Sequence, residues 1–232
     1  MDVLYTLVDA ATALGDGLYS VGEDLVLGAE RTAEGYGMRG TERMIEISTE
    51  NEYLVQNLYG AISNGTDLAR SPLGELIKRI LIRYYSYLPE DVLRDLAVKA
   101  GAVGGGYVTG RMIIGTALAR RVAARLLVKI AESAAFKALA KRLGLSVGTA
   151  ATGIGIPVAL LMGQGVAQRA SAASQRLRQN YPELYADLRR ADGLDMLFFL
   201  VEKPMEKHLL AISAGKRNLR SLEDAARRQM NK

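Results

Sequence analysis

Residues 71–89 read SPLGELIKRILIRYYSYLP, and this stretch decides the fold class because its apolar side chains recur at the spacing of an α-helix. Ser71 is a suitable N-cap, and Pro72 fits the first turn, where a proline loses no backbone hydrogen bond. One face of the predicted helix then carries Leu73, Leu76, Ile77, Ile80, Leu81, Tyr84 and Leu88. The stretch therefore predicts an amphipathic helix that buries its apolar face.

Helix-start signals recur outside this stretch, whereas strand signals are almost absent. Pro89 is followed by two acids that complement a helix dipole, and a capping residue precedes an acid by three positions at Thr49 and Glu52, Asn180 and Glu183, and Ser221 and Asp224. No proline-rich or serine-rich linker divides the chain. We therefore predict an all-α fold, a multi-helix bundle with a central glycine- and alanine-rich apolar helix pair, in one domain over residues 1–232.

The net charge of +5 is unevenly distributed along the chain. Residues 1–98 contain 16 acids and 8 bases, a net −8, and residues 99–232 contain 22 bases and 9 acids, a net +13. We distinguish acidic amphipathic helices over 1–98, an apolar helix pair with a basic connector over 99–172, and basic C-terminal helices over 173–232. The acidic part and the basic part of the chain are therefore suited to contact with different partners, or with each other. Nucleic acid is not predicted as a partner, because no recognition motif or interleaved exposed aromatics accompany the basic charge.

The composition excludes several kinds of chemistry. The chain has no cysteine, so it lacks disulfides, thiolate metal sites and catalytic thiols, and His208 is its only histidine. GAVGGGYVTGR lacks the Lys-Ser/Thr pair of a phosphate-binding loop, and TGIGIPVA lacks the third glycine of a dinucleotide fingerprint. We predict no enzyme activity, no catalytic residue, no cofactor and no metal site. An enzyme of unrecognised type that uses His208, or the acid pairs Glu23-Asp24 and Glu90-Asp91, stays a rival hypothesis.

Two nearly uncharged stretches occupy the middle of the chain. Residues 100–119 carry only Arg111 as a charge, and the 26 residues 143–168 carry none. A helix of about 20 apolar residues crosses a bilayer, so the second stretch is long enough and the first is marginal. Both are richer in small residues than in leucine and isoleucine. Conditional insertion from a soluble bundle therefore fits them better than a permanent membrane anchor.

Small residues at a spacing of four form a ladder in each stretch, and this spacing lets helices pack closely inside lipid. A close-packed hairpin in a soluble core has the same pattern, so that alternative stays open. Pro157 is expected to kink or break the second helix in either case. The predicted membrane-insertion and helix-packing residues are Gly101, Ala102, Gly105, Gly106, Gly110, Ala151, Gly155, Ala159, Gly163 and Ala167.

The connector between the two stretches, residues 120–142, carries seven bases and one acid, a net +6. It predicts a basic amphipathic helix that lies on an anionic leaflet with its apolar face shallowly buried. The alternative is a surface helix of a soluble bundle with a solvated basic side. The predicted contacts with anionic lipid are Arg120, Arg121, Arg125 and Lys129.

Many amphipathic helices around a central apolar pair, over about residues 70–200, resemble the pore-forming domain of colicins and the small pore-forming effectors of type VI secretion. The two small-residue ladders carry the resemblance. It implies insertion into the inner membrane of a target bacterium, an ion-conducting pore, and a cognate immunity protein as partner. It also implies production in a bacterial cytoplasm and non-Sec export, with a secretion chaperone or carrier as a further candidate partner. The N-terminal MDVLYTLVDAATALGD lacks the basic start of a Sec signal, whereas the +6 connector departs from the tight turn of a colicin hairpin.

The leading hypothesis is thus a membrane-permeabilising antibacterial toxin that contacts bacterial membrane lipid, with a homo-oligomer in the membrane as an open alternative to a monomer. The rival is a soluble, non-enzymatic helical binding or adaptor protein whose glycine-rich helices form its core.

Overall fold

The computed structural model describes residues 31–35, 40–64, 66–67, 69–102, 110–142 and 156–215. Within these ranges every regular element is helical, which confirms the predicted all-α class. Residues 31–35 are helical, and the following elements are α1 (Thr41–Ser63), α2 (Pro72–Tyr85), α3 (Glu90–Lys99), α4 (Arg111–Glu132), α5 (Ala134–Arg142), α6 (Ile156–Asn180), α7 (Pro182–Arg190), a 3₁₀ helix (Leu194–Leu200) and α8 (Glu206–Gly215). The boundaries at residues 98 and 172 stay predictions.

Helix α2 is the centre of the bundle. It begins as predicted, because the Ser71 side chain accepts a hydrogen bond from the Gly74 N–H at 3.3 Å and Pro72 occupies the first turn. It packs against α1, α4, α7, α8 and the 3₁₀ helix. The residues of its predicted apolar face are all buried, and those with no exposed surface are Leu88, beyond the end of α2, and five residues within it: Leu73, Leu76, Ile77, Ile80 and Leu81.

The energy of this burial explains why the other helices gather around α2. A fully buried leucine or isoleucine contributes about 2 kcal/mol relative to an exposed one, so five contribute roughly 10 kcal/mol before the entropy of ordering is subtracted. That sum is similar to the whole net stability of a typical domain, about 5–15 kcal/mol. The bundle therefore depends on helices that cover the apolar face of α2.

Helix α4 provides the largest part of this cover. Its apolar residues Ile114, Leu118, Val122 and Leu126 are buried, and α4 packs against α2 and α3. Gly115 brings the two helices close together, since a Cβ placed on it would lie 3.6 Å from the Cβ of Tyr85 in α2. The amphipathic character predicted for residues 120–142 thus serves, over residues 120–132, to pack α4 onto the bundle, whereas the remaining connector residues form a separate helix, α5, from Ala134.

A buried polar network joins residues 31–35, α1 and α6. The guanidinium of Arg31 has no exposed surface and donates to Glu50 at 2.8 Å, to Asn51 at 3.1 Å and to Gln168 at 3.1 Å. The hydroxyl of Ser171 donates to the second oxygen of Glu50 at 3.0 Å. Because a buried charge is costly without partners, these bonds define the position of α6 against α1.

The corner at residues 191–193 is fixed by residues of α1. Asp192 and Gly193 have φ values of 53° and 69°, and the Asn57 side chain donates to both of their carbonyls, at 2.8 and 3.2 Å. The ring of Tyr53 lies directly against Gly193, so a Cβ at this position would overlap the ring. Only glycine combines the left-handed conformation with this close approach.

Two sequence interpretations are corrected by the helix bounds. Thr49 does not start a helix, because it lies inside α1 and its hydroxyl donates to the Ile45 carbonyl at 3.0 Å. Asn180 is the last residue of α6 rather than a cap, and α7 begins at Pro182. Pro157 lies next to the first described residue of α6, Ile156, so the kink or break expected there stays a prediction. The Ser221 signal lies outside the described residues.

Gly193→Ala is expected to lower the free energy of unfolding by about 2 kcal/mol or more, because it combines a left-handed backbone with overlap against Tyr53. Gly115→Ala is the matched control. Its added methyl group meets only ordinary van der Waals contact, and alanine in a helix is about 1 kcal/mol more favourable than glycine. Urea unfolding of both variants tests this, and equal stability of the two would contradict the assigned role of Gly193.

Candidate functional site

The solvent side of α4 carries a cationic face, defined by Arg120, Arg121, Arg125 and Lys129. Arg120, Arg121 and Arg125 are exposed and Lys129 is partly exposed. The face exists because the apolar residues of α4 are buried against α2 and α3, which leaves the basic residues outward. With 22 residues the helix is about 33 Å long, so these charges follow a stripe rather than a point. The structure thus brings together the four residues predicted to contact anionic lipid.

Two arginines of α4 complete the ends of neighbouring helices. Arg111 donates to the carbonyl of Ser86, and Arg125 donates to the carbonyl of Ala100 at 3.4 Å. Ser86 and Ala100 are the C-caps of α2 and α3. The last carbonyls of a helix lack intrahelical donors and carry partial negative charge, so arginines are favourable there. These contacts give Arg111 and Arg125 a structural role beside any contact with lipid.

The other members of the cationic face have no acidic partner nearby in the described part of the chain. No ion pair of Arg120, Arg121 or Lys129 occurs there, and Glu132 is the one acid in α4. Most described arginines on other helices do pair, as Arg176 does with Glu202 at 2.6 Å. An uncompensated stripe of this kind produces a positive potential over the surface. It can attract an anionic leaflet, or another acidic surface.

Exposed apolar side chains accompany the cationic face. Met112 and Ile113, at the start of α4, are 82% and 61% exposed, and Val128 is 37% exposed. Single exposed apolar residues are common, but here they share a helix with unpaired arginines. This combination is typical of helices that lie at a membrane interface.

The first small-residue ladder is not a continuous helix in this structure. Gly101 ends α3 with φ 65°, and the Gly101 and Ala102 N–H groups donate back to Val98 and Ala97, as in a Schellman motif. Gly110 has φ 114° and immediately precedes α4. Gly101 and Gly110 thus lie at helix ends, so residues 100–119 do not form one uninterrupted helix here, and the apolar helix pair predicted over residues 99–172 stays a prediction. Gly105 and Gly106 lie outside the described residues, and packing of the ladder inside lipid stays a prediction.

The second small-residue ladder is only partly described. Ala151 and Gly155 lie outside the described residues, whereas Ala159 and Gly163 lie in α6. Ala167 is buried in the core, and so are Ala170 and Ala173 further along α6. Helix α6 packs against α1, α7 and the 3₁₀ helix. In this conformation the described small residues of α6 therefore serve the core of the bundle.

A search of the described helices found none that is both long enough and apolar enough to cross a bilayer.

His208 is partly buried against α2. Its ring lies edge-on to Tyr84 with centroids 5.1 Å apart, and its buried Nδ1 has no hydrogen-bond partner among the described residues. Burial and the nearby charge of Lys207 lower the pKa of His208 to about 4. Among the described residues, no cluster of three or more acids and histidines could hold a metal ion.

Asp195 is one of three buried acids among the described residues, together with Glu34 and Glu50. Ser174 donates to its carboxylate at 2.6 Å, and Arg189 lies at 3.3 Å from the same oxygen. Burial raises the pKa of Asp195, while the hydrogen bond from Ser174 and the charge of Arg189 act in the opposite direction. Glu50 and Asp195 are thus each held by one serine of α6 and one arginine, whereas buried Glu34 pairs with Arg43 at 3.2 Å.

Sequence reasoning missed the residues that depend on distant partners. The four-residue spacing of Glu42, Glu46 and Glu50 is by itself typical of a solvated helix face, but Glu50 is buried beside Arg31 and only Glu42 and Glu46 are exposed. The partners of Arg31 in α6 lie 137 positions away, so no local spacing marks them. For Met112 and Ile113 the sequence does offer a local signal of a position at a helix start, because the two residues directly follow Gly110 and Arg111.

Comparisons of the chain with protein families, with curated proteins and with solved structures gave no match. The functional interpretation therefore depends on the geometry of the described residues.

The neutral state of His208 predicts a pH dependence of stability. Because its pKa is lower in the folded chain than the usual value of 6.5, the unfolded chain binds the extra proton between pH 6.5 and about 4. The contribution of the neutral His208 ring to the free energy of unfolding is therefore fully present above pH 6.5 and is lost as the pH falls toward 4. In His208→Phe, which keeps a ring beside Tyr84, the melting temperature should fall less between pH 7 and 4.5 than it does in the unmodified chain. Parallel pH profiles for the two proteins would contradict this assignment.

Proposed function

We propose that this protein is a membrane-permeabilising antibacterial toxin that acts on bacterial membrane lipid. The observation that carries the proposal is the division of α4 into two faces. The outer face presents arginines that have no acidic partner in the described part of the chain, and the inner face holds buried apolar residues such as Leu118, Val122 and Leu126. A helix of this composition is stable in water only while its apolar face is covered.

The first step of the proposed mechanism is electrostatic attachment. The cationic face meets an anionic leaflet, and Met112 and Ile113 add exposed apolar contact at the start of α4. The second step is release of α4 from α2, which makes its apolar face available to lipid. The small-residue helices of the central stretches then pack together in the membrane and form an ion-conducting path. A cognate immunity protein would neutralise the toxin in the cell that makes it.

The rival function is a soluble, non-enzymatic helical binding or adaptor protein. The burial of Ala167, Ala170 and Ala173 favours it, because these small residues already have a structural use in the core. The two functions differ in one respect that can be measured. A toxin has to release α4 from α2, whereas an adaptor works with the closed bundle.

Attachment to lipid is tested with Arg120→Ala/Arg121→Ala. Each arginine near an anionic surface contributes about 1 kcal/mol, so the double variant should bind anionic vesicles roughly 30-fold more weakly at low salt. Arg70→Ala/Arg190→Ala is the matched control, because it removes two exposed arginines elsewhere. Vesicle co-sedimentation measures the binding. Equal loss in both variants would show that the cationic face has no special role.

Release of α4 is tested by linking it to α2. The Tyr85→Cys/Gly115→Cys variant places two thiols at a Cβ separation of 3.6 Å, within the range of about 3.5–4.5 Å that a disulfide needs. The chain has no other cysteine, so the link is unique. Dye and potassium efflux from anionic vesicles should be low in the oxidised protein and should return after reduction. Equal efflux in both states would exclude release of α4 as a required step.

The antibacterial activity itself is tested in cells. Bacteria that express the chain at their inner membrane should lose membrane potential within minutes of induction, and the linked variant with an intact disulfide should not cause this loss in spheroplasts. If purified protein releases neither dye nor potassium at any pH from 4 to 8, the adaptor function is the better account.

A further inference from the structure

Helix α1 exposes apolar side chains along one side. Met44 and Ile45 are 39% and 59% exposed, and Val55 and Tyr59 are 67% and 61% exposed. Ile45 and Tyr59 are 14 residues apart, so the exposed apolar side chains extend over about 21 Å of helix. They form two apolar pairs on one side of the helix, separated by the exposed polar residues Ser48 and Glu52, rather than a single scattered residue. We define these four residues, together with Glu42 and Glu52, as the α1 face.

The charge of the α1 face is negative. Glu42 and Glu52 are exposed and have no ion pair in the described part of the chain, whereas Glu46 pairs with Arg43 at 2.6 Å. The opposite side of α1 is buried through Ile47, Leu54 and Leu58 and cannot be reached. A partner for the α1 face should therefore combine an apolar strip with positive charge.

The chain itself carries a surface that meets this description. On α4, Ile113 and Val128 are exposed and Ala117 and Ala124 are partly exposed, while Arg120 and Arg121 stand beside them. Ile113 and Val128 are 15 residues apart, so the strip is about 22 Å long and matches the length of the α1 face. Both helices pack against α2, and both surfaces are exposed in the same folded chain.

We propose that copies of this chain associate head to tail in solution, with the α1 face of one copy on the cationic face of α4 in the next. Pairing of two α1 faces would place Glu42 and Glu52 against like charges, and pairing of two α4 faces would do the same with arginines. Only the unlike combination brings opposite charges together. Because the two surfaces differ, the association is heterologous, and each added copy presents a free surface for another until a ring closes.

The association is weak and salt-dependent. A single pair of exposed helices is smaller than the interface of about 1,200–2,000 Å² that stable complexes form, so we expect association only at concentrations of about 0.1 mM or above. Charge attraction across the surface is screened over about 10 Å at 0.1 M salt. The inference concerns the folded chain in water and does not depend on permeabilisation. Anionic vesicles compete for Arg120 and Arg121, so they should disperse the assembly.

The test is sedimentation velocity of the full chain without lipid, with one variant for each surface. Glu42→Arg/Glu52→Arg changes the sign of the α1 face, and Arg120→Glu/Arg121→Glu changes the sign of the α4 face. Each variant alone should associate at least 10-fold more weakly than the unmodified chain. An equimolar mixture of the two should regain association, because each surface then finds one of opposite charge. Melting curves check that both variants are folded.

The outcomes separate the proposal from its rivals. Association that weakens in both variants, recovers in the mixture and falls at 0.5 M salt, where the Debye length is below about 5 Å, supports the head-to-tail contact. Full association of either variant alone overturns it, since a symmetric dimer uses only one of the two surfaces. A chain that stays monomeric at about 0.5 mM and low salt also overturns it, even for a weak interface. Neither result affects the vesicle efflux on which the proposed function depends.

Discussion

The contact between α2 and α4 is the constraint on which the rest of the structure depends. Helix α2 presents more apolar surface than any single neighbour covers, and α4 provides the largest cover with Ile114, Leu118, Val122 and Leu126. The same apolar face of α4 would be needed at a lipid surface. The apolar face of α4 cannot pack against α2 and contact lipid at the same time, so the closed bundle and the proposed membrane-bound form exclude each other. A folded chain with this property changes its surface when α4 leaves α2.

Buried polar groups specify how α6 fits into the closed bundle. Glu50 is held by Arg31 and Ser171, and Asp195 is held by Ser174 and Arg189. Such groups contribute little net stability compared with apolar residues, but separating the partners leaves charges buried without compensation. The bundle is therefore expected to keep α6 in one register while it is closed. If α6 leaves the bundle, Glu50 and Asp195 have to become exposed to water or have to move together with the serines and arginines that hold them.

Local spacing predicted the helices whose buried face follows from their own sequence. It failed for residues whose burial depends on partners far away in the sequence. The face of α2 could be read from residues 71–89 because its period matches the helix, and the basic side of α4 could be read from Arg121, Arg125 and Lys129 for the same reason. The burial of Glu50 could not be predicted from local spacing, since its partners Arg31 and Ser171 lie far away in the sequence. The glycines near residues 101–110 were taken as a helix ladder, although left-handed φ values give two of them a role at helix ends.

The most direct measurement is amide hydrogen exchange along α4 with and without anionic vesicles. In water, the amides from Ile114 to Ile130 should exchange slowly, because α4 is covered by α2 and α3. On vesicles, residues of α2 that α4 covers, such as Ile77 and Leu81, should lose protection as α4 moves to the lipid. If both helices keep their protection while the vesicles leak, permeabilisation does not require release of α4 and the account is wrong.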